Sequence, residues 1–257
     1  MNIKKCLLMA ILTIFLSSCA KDVPSFKQGD AEGELKNCIW LLQNKKFEDG
    51  VQCLEILKAR HPGSMAARDA ELAVGDAYFR KKDYLSAVEA YQSFVRLYPT
   101  HPKVGYAYYK IGLSYLKESP KAIDRDQTYL FEAERYLKIS ISRFGDTNYH
   151  ALAKKYLNDT RLRLAKREFY IGRFYYRTGE YISSVPRFRA IVEEYPDAGL
   201  NEKSLYYMTI ASIRLKELED ARVSFTMLST KFPSSKFTKK AEGKLIRASE
   251  KENKKSE

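Results

Sequence analysis

Histidine, tryptophan, glycine and proline are all scarce in this 257-residue chain, which holds three His, one Trp, 12 Gly and eight Pro. With 19 Tyr and 13 Phe beside so few breakers, a collagen-like or low-complexity chain is excluded and helices are expected. Four cysteines are too few for a disulfide scaffold. There is no phosphate-cradling glycine loop, no Cys pair at metal spacing and no Gly-x-Ser-x-Gly elbow, and no serine stands near a histidine in a known catalytic arrangement. The expectation is a protein that is not an enzyme and needs no metal or cofactor. His61 and His101 stand beside prolines and read as charge partners of helix C-termini. Acids are also short, 32 against 45 Lys and Arg, and the formal charge of +13 suggests an acidic surface, anionic lipid or nucleic acid as partner. With 45% hydrophobic residues the chain can bury a sizeable core, in one long domain or two short ones.

Long hydrophobic runs are missing except at residues 6–16, which follow Lys4 and Lys5. Eleven residues rise only ~16 Å as a helix and cannot cross a hydrocarbon core of ~30 Å, so the run reads as an export signal. It closes on Leu16-Ser17-Ser18-Cys19, which resembles the bacterial lipobox. The resemblance implies that Cys19 becomes the acylated (palmitate-bearing) first residue of the mature chain; the plainer reading is a cysteine ending an ordinary signal. Several acyl chains on one residue anchor stably where one is marginal. Ala20 lacks the aspartate that retains such lipoproteins at the inner membrane, so the expected location is the periplasmic face of the outer membrane. Loss of residues 1–18 removes two lysines and no acid, so the mature charge falls only from +13 to +11. Export takes the chain away from nucleic acid, and its lysines are interleaved with acids as on a solvated face.

Cys38 and Cys53 are then the remaining thiols, in a compartment that permits disulfides. If two antiparallel helices turn at Lys45-Lys46, these cysteines lie equally far from the turn and could face each other; two buried unpaired thiols are the alternative.

Residues 68–99 carry helical spacing twice over, broken at Lys81-Lys82-Asp83, and so predict a helical hairpin. Its frame recurs. Gly75-x2-Tyr78, Ala87-x3-Tyr91 and Pro99 are matched at identical offsets by Gly172-x2-Tyr175, Ser184-x3-Phe188 and Pro196. Weaker copies hold Cys38, Gly50, Leu54 and Pro62 at the start and Thr209, Ala221, Phe225 and Pro233 at the end. The small residues of the first helices stand at 38, 75, 112, 172 and 209, so three of four steps are 37. This is the tetratricopeptide pattern, in which small side chains let two helices approach, Tyr and Phe fill the gap between hairpins, and Pro ends the second helix. The fold class expected is all-α, an αα superhelix of about five such hairpins. Residues 117–128 insert into the third hairpin, and residues 149–177 read as one long helix leading into the fourth.

The lipobox, the short tether, the five hairpins, an Asp124-Arg125-Asp126 loop and two runs together resemble the BamD (ComL/YfiO-like) family. The runs are Arg163-Leu164-Ala165-x2-Glu168-Phe169-Tyr170 and Tyr175-Tyr176-Arg177-x-Gly179-x-Tyr181, and the stretch ends at Tyr195-Pro196-Asp197. Members are lipoproteins of the outer-membrane β-barrel assembly machinery, and the resemblance covers essentially all of the mature chain. It implies a periplasmic scaffold that binds the POTRA region of the barrel-assembly protein, meets other assembly lipoproteins, and receives unfolded outer-membrane proteins through their C-terminal signals. It places Arg187 at a POTRA contact, although an exposed helix arginine there could equally pair with Glu193 or Glu194. Thr209 and Ser212 stand where Gly and Tyr are usual, which weakens the transfer of contacts at the C-terminal end.

Such signals end in an aromatic residue with a free carboxylate, and a receptor needs an apolar surface bordered by cations. Leu35, Ile39, Leu42, Leu72, Phe79, Arg80, Tyr106, Tyr109, Lys110 and Lys117 are expected on or beside the inner face. Arg80 and Lys110 are the carboxylate candidates, and Phe79, Tyr106 and Tyr109 the aromatic ones. The expected map is a signal at 1–18, a lipidated tether at 19–33, a substrate-binding half at 34–147, a complex-assembly half at 148–250 and a charged, disordered tail at 251–257. A tetratricopeptide lipoprotein for pilus or secretin assembly, or one regulating a cell-wall synthase, is the alternative.

Overall fold

A computed structural model describes residues 30–145 and 148–256. The signal segment, Cys19 and most of the tether lie outside the described residues. Among those described there are eleven α-helices and no strand. They are α1 (Ala31–Gln43), α2 (Phe47–Arg60), α3 (Met65–Lys81), α4 (Tyr84–Leu97), α5 (Val104–Glu118), α6 (Thr128–Arg143), α7 (His150–Thr178), α8 (Tyr181–Glu194), α9 (Asn201–Leu215), α10 (Leu218–Lys231) and α11 (Lys236–Ser256). The fold is therefore all-α, with five tetratricopeptide hairpins from α1/α2 to α9/α10. The third is opened by a loop at 119–127, and the 29-residue α7 leads into the fourth. The described residues form two compact units that divide between Ala77 and Tyr78, inside α3.

The turns inside the hairpins repeat as strictly as the helices. Lys45, Lys82, Gly179 and Lys216 all take left-handed backbone, with φ of 61°, 66°, 86° and 66°. Each turn closes the same pair of bonds: Lys46 N donates to Leu41 O, Asp83 N to Tyr78 O, Glu180 N to Tyr175 O and Glu217 N to Ser212 O, all at 2.9–3.0 Å. The left-handed residue donates in turn three residues back. These are Schellman ends, which satisfy the last carbonyls of the first helix and reverse the chain in two or three residues. Only glycine takes this conformation freely, so three lysines there carry backbone strain.

Small residues do what the 37-residue frame needs of them. A Cβ on Gly50 would stand 2.6 Å from Leu42 Cδ2, one on Gly112 2.7 Å from Leu137 Cγ, and one on Gly172 3.0 Å from the Phe188 ring. The helices of three hairpins thus approach too closely for a side chain at the crossing. In the first unit Cys38, Leu42, Leu54, Leu57, Ala66 and Ala70 form the buried core, and Cys38 is disulfide-bonded to Cys53. In the second, each helix packs mainly on its neighbours in sequence. Its core runs from Leu113, Leu130 and Leu137 through Leu164, Phe188 and Ile191 to Leu205, Leu228 and Ala241.

Two boundaries differ from the sequence reading. Helix α1 begins inside the expected tether, because the Asp30 carboxylate accepts from Glu32 N at 3.1 Å and Gly33 N at 3.2 Å and caps it. The tail expected to be disordered is helical as far as Ser256. Buried Ala241 and Leu245 fasten α11 at its centre, and once a helix is nucleated the Lys- and Glu-rich end extends it at little cost.

Candidate interaction surfaces

The aromatic residues expected to meet a substrate fall into two layers. Lys110, on α5, holds its Nζ 3.2 Å from the centroid of the Phe79 ring, and 5.8 and 5.9 Å from those of Tyr106 and Tyr91. An ammonium so close to a ring face is a strong cation–π contact. Tyr106 meets Tyr149 at 4.7 Å between centroids and Tyr91 at 6.4 Å. Phe79, Tyr106 and Lys110 are half-buried and form one surface cluster within the second unit.

Tyr109 belongs to the layer behind. It is 6% exposed, stacks on Tyr149 at 5.9 Å with 13° between planes, and lies 6.2 Å from Tyr156. Burial pushes its phenol up to about 12. Arg80 is exposed, and among the described residues no contact ties it to the cluster; Lys117 is exposed as well. In the first unit Leu42 and Leu72 are buried in the core, while Leu35 and Ile39 are half-buried. Tyr149 and Tyr156 escaped the sequence reading because they lie at the start of α7, outside any repeat position.

The second surface centres on a buried carboxylate. Glu168, 8% exposed, accepts from Arg167 Nη1 at 2.9 Å and from Arg187 Nη1 at 3.1 Å. Arg187 therefore pairs with neither Glu193 nor Glu194, and its side chain is 42% exposed with one edge left to solvent. A second buried acid, Glu134, is held in the same manner by Lys138 and by Arg161, both at 2.7 Å. Arg161 also donates to Glu194 O, which ties α7 to the end of α8.

The run from Arg163 to Tyr170 now has a physical account. Arg163 donates to Pro120 O at 2.6 Å and Gln127 Oε1 at 3.2 Å, so α7 clasps the insertion of the third hairpin. Gln127 Nε2 donates in turn to Ala122 O at 2.9 Å, and just before α6 the Asp126 carboxylate accepts from Thr128 N at 3.0 Å and Thr128 Oγ1 at 2.7 Å. Leu164 and Ala165 are core, Glu168 orders two arginines, and Phe169 packs on Phe188 and Tyr207 at 5.6 and 5.9 Å.

A family model described as outer membrane lipoprotein, YfiO, matches residues 36–222. The chain belongs to the YfiO family of outer membrane lipoproteins. Its curated relatives include the outer membrane protein assembly factor BamD of Neisseria gonorrhoeae, 28% identical over 249 residues, which are 91% of this chain and 93% of the relative. The BamD of Caulobacter vibrioides is 24% identical over 196 residues, 76% of this chain and 64% of its own. Among solved structures, the TPR2AB domain of yeast Sti1 in complex with pHSP90 aligns with 85% of this chain and 82% of its own, at 14% identity and a TM-score of 0.40. The YfiO match spans both surfaces, from within α1 to within α10. Among the described residues of this YfiO chain, no helix is long and apolar enough to cross a membrane.

Proposed function

We propose that the chain is an outer-membrane protein assembly factor: a periplasmic scaffold, anchored through lipid on Cys19, that works by binding and not by catalysis. Residues 148–250 hold the POTRA region of the barrel-assembly protein, with Arg187 at the contact. Residues 34–147 take up the C-terminal signals of unfolded outer-membrane proteins. The observation that carries this reading is the likeness, over 91% of the chain, to a protein named as such an assembly factor.

In this reading each residue has a task. Glu168 fixes the Arg187 guanidinium in one orientation and leaves an exposed edge for a partner carboxylate, so little side-chain entropy is lost when the partner arrives. At the other surface Lys110 stands on the Phe79 ring, where an incoming terminal carboxylate meets a cation already partly stripped of water. Tyr106 supplies the flat surface for the terminal aromatic ring, Tyr109 supports it from behind through Tyr149, and exposed Arg80 adds longer-range attraction.

The test uses the full chain and a labelled peptide ending in a phenylalanine carboxylate, beside the same peptide with an amidated end, read by fluorescence anisotropy. The carboxylate peptide is expected to bind at least about tenfold more tightly, since a hydrogen bond to a charged group contributes ~1.5–3 kcal/mol. Lys110→Ala should abolish that preference. Equal affinities for the two peptides would remove this surface as the receptor.

A further inference from the structure

Helix α11 turns buried Ala241 and Leu245 and half-buried Ala248 toward the last hairpin, and beside that stripe it carries a row of exposed cations. A helix that covers the end of a solenoid turns an apolar stripe inward and a polar face outward. Here Lys244, Arg247, Ala248 and Lys251, spaced i, i+3, i+4 and i+7, all border a groove against α9 and the start of α10. Buried Ala241 and Leu245 hold the helix in place beside it.

The groove has a volume of about 770 Å³, in the range of sites that hold one small amphiphilic molecule. Its floor is apolar, made by half-buried Ile213 and Ala248 with Ile210 and Leu218 buried beneath them. Its rim adds Arg214 and Lys216 to the three cations of α11, so five positive groups face one acid, Glu252. Among the described residues none of the five cations has an ion-pair partner. Five exposed cations around a small apolar surface set up a positive potential that an anion with an apolar tail complements.

We propose that this groove binds an anionic phospholipid, its phosphate among Arg214, Lys244 and Arg247 and an acyl chain along Ile213 and Ala248. A chain of an outer membrane lipoprotein family works beside a lipid surface, which supplies the ligand. An acidic peptide would meet the same cations, but it would lay backbone N–H and C=O groups on a floor with no hydrogen-bonding partner, a cost that an acyl chain avoids. Bound there, the lipid gives the C-terminal end of the scaffold a contact with the membrane that is independent of the anchor at the other end of the chain.

The experiment places the full chain in vesicles of phosphatidylcholine doped with a diazirine-bearing phosphatidylglycerol, photolyses them and maps the labelled peptides by mass spectrometry. Labelling is expected to concentrate on residues 210–218 and 244–252. It should fall at least about tenfold in Lys244→Glu/Arg247→Glu, since each basic residue near an anionic surface adds to the attraction. The same probe with a choline headgroup should label these segments no more than the rest of the chain. The charge reversals lie on the groove rim, and an unchanged melting temperature keeps the loss interpretable; Arg214→Gln provides a second, milder variant. Equal labelling by both headgroups or by the double variant would overturn the proposal. So would displacement of the lipid by glycerol phosphate, which would mark a soluble phosphate site, or by a glutamate-rich peptide, which would mark a protein-docking site.

Discussion

Replacing Glu168 with alanine separates the structural part of the assembly surface from its binding part. The carboxylate is buried and accepts from Arg167 and Arg187, so its removal leaves two guanidinium groups without their partner. Truncating one member of a fully buried ion pair costs ~3–5 kcal/mol. Here the arginine side chains are 28% and 42% exposed and can regain water, so solvent screening reduces the cost to about 1–2 kcal/mol. For a chain of this size that corresponds to a fall of roughly 2–8 °C in melting temperature. Circular dichroism at 222 nm reads it, and a cycle with Arg187→Ala isolates the pair. If Glu168 orders Arg187, the double variant melts higher than the sum of the two single losses predicts. On the proposed role of Arg187, Glu168→Ala should also weaken capture of a POTRA-containing partner while Arg187 is still present, because the freed guanidinium samples many orientations. A variant that melts like the parent and captures the partner equally well would refute the idea that Glu168 positions Arg187.

Three further expectations rest on other parts of the chain. Burial holds the phenols of Tyr109 and Tyr195 up to about 12, against an ordinary 10. Their protons are thus bound more tightly in the folded chain, and this contribution is complete below pH 10 and lost as pH rises from 10 toward 12. Absorbance at 295 nm should show a late class of phenols titrating together with the loss of near-ultraviolet dichroism; a single class near pH 10 would count against it. The Cys38–Cys53 bond closes a separation of 15 residues, so reduction should lower stability by about 3 kcal/mol, with amide exchange rising first in α1 and α2; no change on reduction would mean that packing alone holds this hairpin. Lys216→Gly should raise stability by roughly 0.5 kcal/mol, because relief of the left-handed backbone outweighs the added freedom of the unfolded chain. Gly179→Lys should lower it in a thermal melt, and the opposite signs would argue against strain at these turns.

The repeat was legible because close approach demands small residues, and Gly50, Gly112 and Gly172 stand where a Cβ would collide with Leu42, Leu137 and Phe188. The turns were less so. Lys45, Lys82 and Lys216 keep the 37-residue step, but lysine carries no signal for left-handed backbone, and only Gly179 in the same frame shows it. The partner of Arg187 was hidden for a different reason: Glu168 lies 19 residues away on the preceding helix, and charge spacing within α8 pointed to Glu193 and Glu194. Tyr106 and Tyr109 look equivalent on α5, and only packing by Tyr149 and Tyr156 puts one at the surface and the other behind it. Helix α11 escaped notice because its apolar stripe is short, only Ala241, Leu245 and Ala248, within a run rich in Lys and Glu.

The central claim is that this scaffold joins the barrel-assembly protein through Arg187. The most direct measurement is a mild-detergent purification of the full chain from its native membranes, with mass spectrometry of the retained proteins, beside Arg187→Glu. The account predicts recovery of a POTRA-containing barrel protein with the parent and its loss with the variant. Recovery of secretins or cell-wall enzymes in its place, or undiminished recovery of the barrel protein with Arg187→Glu, would contradict it.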